Sequence, residues 1–363
     1  MPDNHLIFVS SCASGEKGAI TAFNLDVKTG NLEQVGRYGD IDGPFYLALS
    51  PDRKYLYATE DQSDPKSDSG RIVSFKIDQT TGSLTKINQQ SANGTTSCYV
   101  DVDPTGKALV FANYSSGSIG SFPINSDGSL GDMVSFHQHQ GASEVNTERQ
   151  MGPHAHCSVI SPSGQYMFAC DLGIDQVLGY RLDPDSATLT PTDQAYVRTI
   201  GGGGPRHFAY HPNGAYVYAN NELANSVNVY SFEEASGTLV ERQVIATLPD
   251  DFDEESYTAD MKITPDGRFL YCSNRKHDSI AIFGIGDDGL LTLIDIQPSL
   301  GNFAQNLALT PCGSLLICAN MMDNGEGENG ENIVVFRIDP ESGKLSALNA
   351  PVSLPSPSCT MII

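Results

Sequence analysis

The chain has no tryptophan. That absence excludes repeats built on a Trp-Asp dipeptide and argues against kelch-type repeats. Basic residues are scarce: 21 Lys and Arg face 44 Asp and Glu, for a net charge of −23. A field of that sign repels nucleic acid and anionic membranes and favours solubility, so neither is expected as a partner. No stretch approaches the ~20 apolar residues of a bilayer span. The opening MPDNHLIFVSS lacks the basic and long apolar regions of a secretory signal. The eight cysteines include no CxxC pair, and Cys170, Cys272 and Cys318 lie inside apolar runs. Buried thiols in a reducing cytoplasm are therefore expected, rather than disulfides or a zinc site. A GxSxG nucleophile elbow is also missing, which leaves covalent acyl catalysis without support.

What the chain does have is a phrase that recurs six times: an apolar run, a turn built on proline, usually with glycine two residues later, and a second apolar run. ALSPDRKYLYATE (48–60), VISPSGQYMFACD (159–171) and AYHPNGAYVYANN (209–221) are three of the copies. The turn prolines are Pro51, Pro104, Pro162, Pro212, Pro265 and Pro311. A period of roughly 50 residues made of short strands marks a radial propeller. Length alone suggests two or three domains; the repeat instead makes residues 1–363 one propeller domain.

A second phrase follows each proline turn. It ends in an aromatic residue, followed by a glycine hairpin and another strand, and it occurs seven times, at Phe23, Phe75, Phe122, Tyr180, Tyr230, Phe283 and Phe336. Seven copies against six proline turns leave one blade incomplete at its inner side. HLIFVSS near the start resembles a second strand and SPSCTMII at the end a first strand. The expected fold is therefore all-β: a seven-bladed β-propeller with four antiparallel strands, a to d, per blade, closed by both termini in the seventh blade. The c–d hairpins carry glycine where a left-handed residue is needed, and only SATL (186–189) lacks it.

In a propeller, strand a lines the channel and strand b returns beside it, so the start of a and the end of b open on one face. Six residues before the turn proline stand Phe45, Cys98, His156, Arg206, Ala259 and Gln305. Ten residues after it stand Asp61, Tyr114, Leu172, Glu222, Arg275 and Met321. The ionisable ones cluster in three consecutive blades: His156, Arg206 with Glu222, and Arg275. His154 and His207 flank them and are further candidates for substrate binding. Three insertions fall on the same face, a d–a loop at 135–152 and b–c loops at 61–70 and 321–332, and loops on a regular scaffold are where binding is usually built.

Paired guanidiniums grip a phosphate or carboxylate, and a carboxylate with an imidazole can guide water or move protons near neutral pH. A guanidinium also stabilises the oxyanion formed when an ester carbonyl is attacked. The set suits hydrolysis or formation of an anionic lactone. The plainer alternative is an ion pair, Arg206 with Glu222, that merely satisfies itself. GGGGPRH (201–207) is not a phosphate-cradling loop, because no helix follows it. His137 and His139 lack a carboxylate or cysteine at ligand spacing, so they read as a surface loop and no metal is expected.

GPRHFAYHPNGAYVYANNELANSVNVY (204–230) resembles the signature stretch of the bacterial seven-bladed 6-phosphogluconolactonases, whose superfamily includes the fungal carboxy-cis,cis-muconate cyclases. PHAHCSVISPSGQYMF (153–168) and YTADMKITPDGRFLYCSNR (257–275) are similar to the neighbouring blades. The resemblance implies a channel-mouth site of His156, Arg206, Glu222 and Arg275. Strand register favours His156, whereas alignment on the Gly-Pro pair favours His154. It further implies a cofactor-free, metal-independent, cytoplasmic hydrolase of 6-phosphogluconolactone in the pentose phosphate pathway, with carboxymuconate cyclisation as the neighbouring reaction. A non-catalytic propeller binding a sugar acid or a protein stands as the alternative from another class. The oligomeric state is open.

Overall fold

A computed structural model of the chain describes residues 4–60, 70–323 and 330–363. The described residues form seven antiparallel sheets arranged as blades in a ring. We number the blades by their turn prolines, from Pro51 in the first to Pro311 in the sixth. The inner strands of the first six are Leu47–Leu49, Ser97–Val102, Ala155–Ile160, Pro205–Tyr210, Tyr257–Ile263 and Ala304–Leu309. The seventh blade has the order Pro357–Ile362, Asn4–Ser11, Ala19–Asp26, Leu32–Tyr38, so the end of the chain supplies the innermost strand. Ile7 pairs with Ile362 and Val9 with Thr360. Inner strands lie beside those of the adjacent blades all round, which closes the ring about the channel.

The b strands are buried along nearly their whole length, because both faces of a blade are covered by its neighbours, and the faces between blades are filled by residues such as Leu56, Phe111, Phe168, Tyr230 and Phe283, all buried. One seam recurs. In four blades the residue four past the turn proline packs on the c–d hairpin of the next blade: a Cβ added to Gly128 would meet Tyr55, to Gly237 Tyr166, to Gly289 Tyr216 and to Gly343 Phe269. Two residues farther along strand b, Tyr57, Tyr218 and Tyr271 donate their hydroxyls to the carbonyls of Gly128, Gly289 and Gly343 at 3.2, 2.9 and 2.8 Å.

The exceptions are informative. SATL places Ala187 where the other hairpins have glycine, yet its φ is +54°. The residue that would pack on it, four past Pro104, is Ala108, where the other blades named above carry an aromatic ring. A small residue in blade 2 thus leaves room for the extra methyl in blade 3. Likewise Arg53 takes φ +59° in the one a–b turn that lacks glycine. Tertiary fit overrides local preference at both.

Two expectations need correction. Residues 135–152 are not loop throughout: Ser135–Gln138 is the outer strand of blade 2. His139 is not a surface residue, being 5 % exposed, with Nδ1 2.6 Å from Asp171 Oδ2 and Nε2 3.2 Å from Tyr180 OH. Its partners show why: the segment folds back over blade 3, and His139 fills the space between them. Asp61 and most of the 61–70 insertion lie outside the described residues, as do 324–329 of the 321–332 insertion.

Candidate active site

The inner strands are irregular at one shared place. Their pairing with strand b skips Cys98, His156, Gln305 and Ser358, and in blades 4 and 5 it skips two residues each, Arg206 with His207 and Ala259 with Asp260. These are β-bulges, which free a residue from the ladder and re-aim its side chain. In the double bulges a side chain fills the gap: Asn220 Oδ1 accepts from His207 N at 2.8 Å, and Ser273 Oγ from Asp260 N at 3.1 Å. The bulges sit at the mouth of the channel, and four of the skipped residues face a cavity there.

That cavity measures about 260 Å³. Its polar lining includes His156, Arg206, Glu222, Arg275, Gln305 and Arg149, and its apolar lining includes Phe45, Phe303 and Met321. Arg206 comes from a bulge, and Glu222 and Arg275 from the ends of b strands in blades 4 and 5. Glu222, 2 % exposed, is the hub. Its Oε2 accepts from Arg206 Nε at 3.0 Å and lies 2.7 Å from Arg275 Nη2, while Oε1 accepts from Arg149 Nη2 at 2.7 Å. Arg275 also sits over the Phe303 ring, 5.0 Å from its centroid. Arg149 bonds Tyr114 OH at 2.9 Å.

The electrostatics follow from this geometry. Burial alone would raise the Glu222 carboxyl, but Arg275 and Arg206 outweigh it and hold the group well below the usual carboxylate range. Such a carboxylate is ionised and already saturated with donors, so it anchors the guanidiniums and accepts a further proton poorly. Burial, then Glu222, acts on Arg275 with opposite signs, and the net result is a decrease to about 10. Burial, reinforced by Arg206, holds His156 well below the ordinary imidazole value, so the ring is neutral at pH 7. Cys98 Sγ lies 3.9 Å from His156 Nδ1, but burial pushes its thiol up, which keeps it protonated and unsuited to nucleophilic attack.

Four of the sequence-derived candidates, His156, Arg206, Glu222 and Arg275, line this one cavity. The other two do not. His154 stacks on Tyr114, 4.7 Å between centroids, and its Nδ1 lies 3.1 Å from the Tyr114 carbonyl, so it supports the wall from behind. His207 lies deeper in the channel, packed edge-on against Tyr46 and Tyr99, with Nδ1 2.8 Å from Asp260 Oδ1. Arg149 was not among the candidates. The signal for it was present: it is the single arginine in the 135–152 insertion, on the mouth face of an acidic chain.

A family model described as "Lactonase, 7-bladed beta-propeller" matches residues 6–362. A 6-phosphogluconolactonase of Bacillus subtilis (strain 168) is 33 % identical over 358 residues, covering 98 % of this chain and 97 % of that protein. A 6-phosphogluconolactonase of Formosa agariphila is 33 % identical over 350 residues, covering 94 % and 95 %. Among solved structures, the periplasmic gluconolactonase of Pseudomonas aeruginosa superposes with a TM-score of 0.91 at 31 % identity, covering 99 % of both chains.

Proposed function

The chain belongs to the seven-bladed β-propeller lactonase family, and from that premise we propose that its mouth cavity hydrolyses 6-phospho-D-glucono-1,5-lactone to 6-phosphogluconate, as the Bacillus and Formosa relatives are named for. The observation that carries this reading is the convergence of three guanidiniums on one carboxylate in a partly enclosed cavity. Three cations and one anion beside a neutral imidazole leave a surplus of two positive charges. A phosphate monoester carries about −1.5 to −2 at pH 7, which matches that surplus.

In this reading water attacks C1 of the lactone. The oxygen–C1 bond forms, negative charge develops on the carbonyl oxygen, and a guanidinium donor stabilises it. His156, neutral because it is buried, takes the proton from water and returns it to the ring oxygen as the C1–O5 bond breaks. Glu222 keeps the three arginines in register. The scheme needs no metal, since the guanidiniums supply the positive charge. Among the described residues no group of three or more His, Cys, Asp or Glu side chains is placed to hold a metal ion.

We place this activity in the cytoplasm, where the product enters the pentose phosphate pathway. Support comes from Cys98, Cys157, Cys170, Cys272, Cys318 and Cys359, all buried and none in a disulfide. Cell fractionation tests that assignment. Purified protein incubated with the phospholactone tests the reaction: hydrolysis well above the spontaneous rate, unchanged by a chelator, is expected. A rate equal to the spontaneous one overturns the proposal.

A further inference from the structure

The hydrogen-bonded network does not stop at the cavity wall. A guanidinium has five N–H donors and no acceptor. Arg206 Nε donates to Glu222 Oε2 at 3.0 Å, and Nη1 donates to the Ala259 carbonyl at 2.6 Å and to His207 Nε2 at 2.9 Å. Those three contacts use the three hydrogens of Nε and Nη1. Among the described residues Nη2 has no partner, although the side chain is 1 % exposed and lines the cavity. We propose that His207 and Asp260 form a positioning pair that sets the orientation of Arg206, so that its Nη2 edge is the one offered to substrate. The kinetic part of this inference rests on the lactonase reading above.

The argument runs through one proton. Because Arg206 can only donate, His207 Nε2 must be bare, and the ring hydrogen must reside on Nδ1. Asp260 Oδ1, 2.8 Å from Nδ1, accepts it there. A carboxylate that fixes the tautomer of an imidazole in this way also fixes what the other nitrogen can bind. Asp260 is itself held. Met261 N donates to Oδ1 at 2.9 Å; Lys262 Nζ, Asn306 Nδ2 and Leu307 N donate to Oδ2 at 2.6, 2.7 and 3.0 Å. Burial raises its carboxyl, but Lys262 and then His207 outweigh that and hold it well below the ordinary value. The other titratable rings facing His207 are Tyr99, His156 and Tyr46, with centroids 5.3, 5.5 and 5.8 Å away. With the opposite tautomer, or with both nitrogens protonated, Nε2–H would oppose Nη1–H, and the guanidinium would have to turn away.

The test combines spectroscopy with two variants of the full chain. Nitrogen NMR of the histidine rings is expected to show His207 with Nδ1 protonated and Nε2 bare through neutral pH; an Nε2–H ring overturns the proposal. His207→Gln keeps an acceptor oxygen toward Nη1 and is expected to retain kcat within a few fold. His207→Phe removes the acceptor and is expected to lower kcat about 10- to 100-fold, toward the cost of a lost oxyanion donor, with a smaller change in KM. Both variants are to be melted alongside. If the two lose activity equally while remaining folded, the positioning role is wrong. Inorganic phosphate titrations give a readout free of turnover, weaker in the Phe variant than in the Gln variant; equal affinities count against the pair. If the wild-type protein hydrolyses no lactone, the proposed function fails, whereas the tautomer and the phosphate titrations still decide this inference.

Discussion

The two faces of the ring follow opposite rules. On the face of the a–b turns the same geometry repeats from blade to blade, left-handed backbone included. It persists even where Arg53 and Ala187 stand in for glycine, in an a–b turn and in a c–d hairpin on the interblade seam. On the mouth face the backbone departs from the ladder at a shared height, and the residues set free there differ in every blade: Cys98, His156, Arg206, Gln305. Regularity at one end holds the blades at fixed angles. Irregularity at the other end lets each blade contribute a different group to one cavity.

Breaking the hub of the mouth face has the largest expected effect. Glu222→Ala leaves three guanidiniums facing one another around a buried vacancy. Kinetic assays are expected to show a loss of two or more orders of magnitude, and denaturant titration a loss of about 3–5 kcal/mol, the usual cost of breaking a buried ionic cluster. Arg149→Gln comes next. Its side chain is 31 % exposed, unlike those of Arg206 and Arg275, and it reaches the hub from a loop. Turnover of the phospholactone is expected to fall about tenfold or more, as for loss of a charged hydrogen bond. Unphosphorylated gluconolactone should be affected less, and equal losses on the two substrates would separate Arg149 from phosphate recognition.

Acid should weaken the mouth face selectively. Burial, aided by Arg206, lowers His207 from 6.5 to about 4. Between those values the unfolded chain binds a proton that the folded chain refuses, so stability falls as pH drops from 6.5 to about 4 and this contribution levels off below. Melting curves across that window check it, and His207→Gln should flatten the slope. On the repeated seam, Ala108→Tyr installs the ring that other blades carry, but against Ala187 in place of glycine. A loss of about 1–3 kcal/mol from overpacking is expected, relieved when Ala187→Gly is added, and a double-mutant cycle measures the coupling. Ala187→Gly alone should change stability least, by less than about 1 kcal/mol, because relief of the positive φ is offset by glycine's greater freedom in the unfolded chain.

The same contrast explains what could be read from the sequence. Wherever the repeat holds, an offset from a proline locates a residue in space, which is why His156, Arg206, Glu222 and Arg275 could be brought to one opening by counting. Arg149 lies in an insertion, where no offset exists. His207 and Asp260 were hidden for another reason. Each follows a mouth residue, and simple alternation would point it between blades; the double bulge turns it into the channel instead. A bulge so close to the start of a strand has too few residues before it for the break in alternation to show. The seventh blade was legible because a missing first strand at one end matched an extra strand at the other.

One consequence of the bulges reaches beyond this chain's own chemistry. A side chain that the backbone ladder skips can be exchanged without changing which residues pair along the strand, since no backbone-to-backbone rung is made there. Cys98, His156, Arg206 and Gln305 thus stand apart from the ladder that holds the ring, while Glu222 and Arg275 are carried where strand b ends. A descendant with new side chains at those few positions would inherit the architecture intact while handling a different molecule.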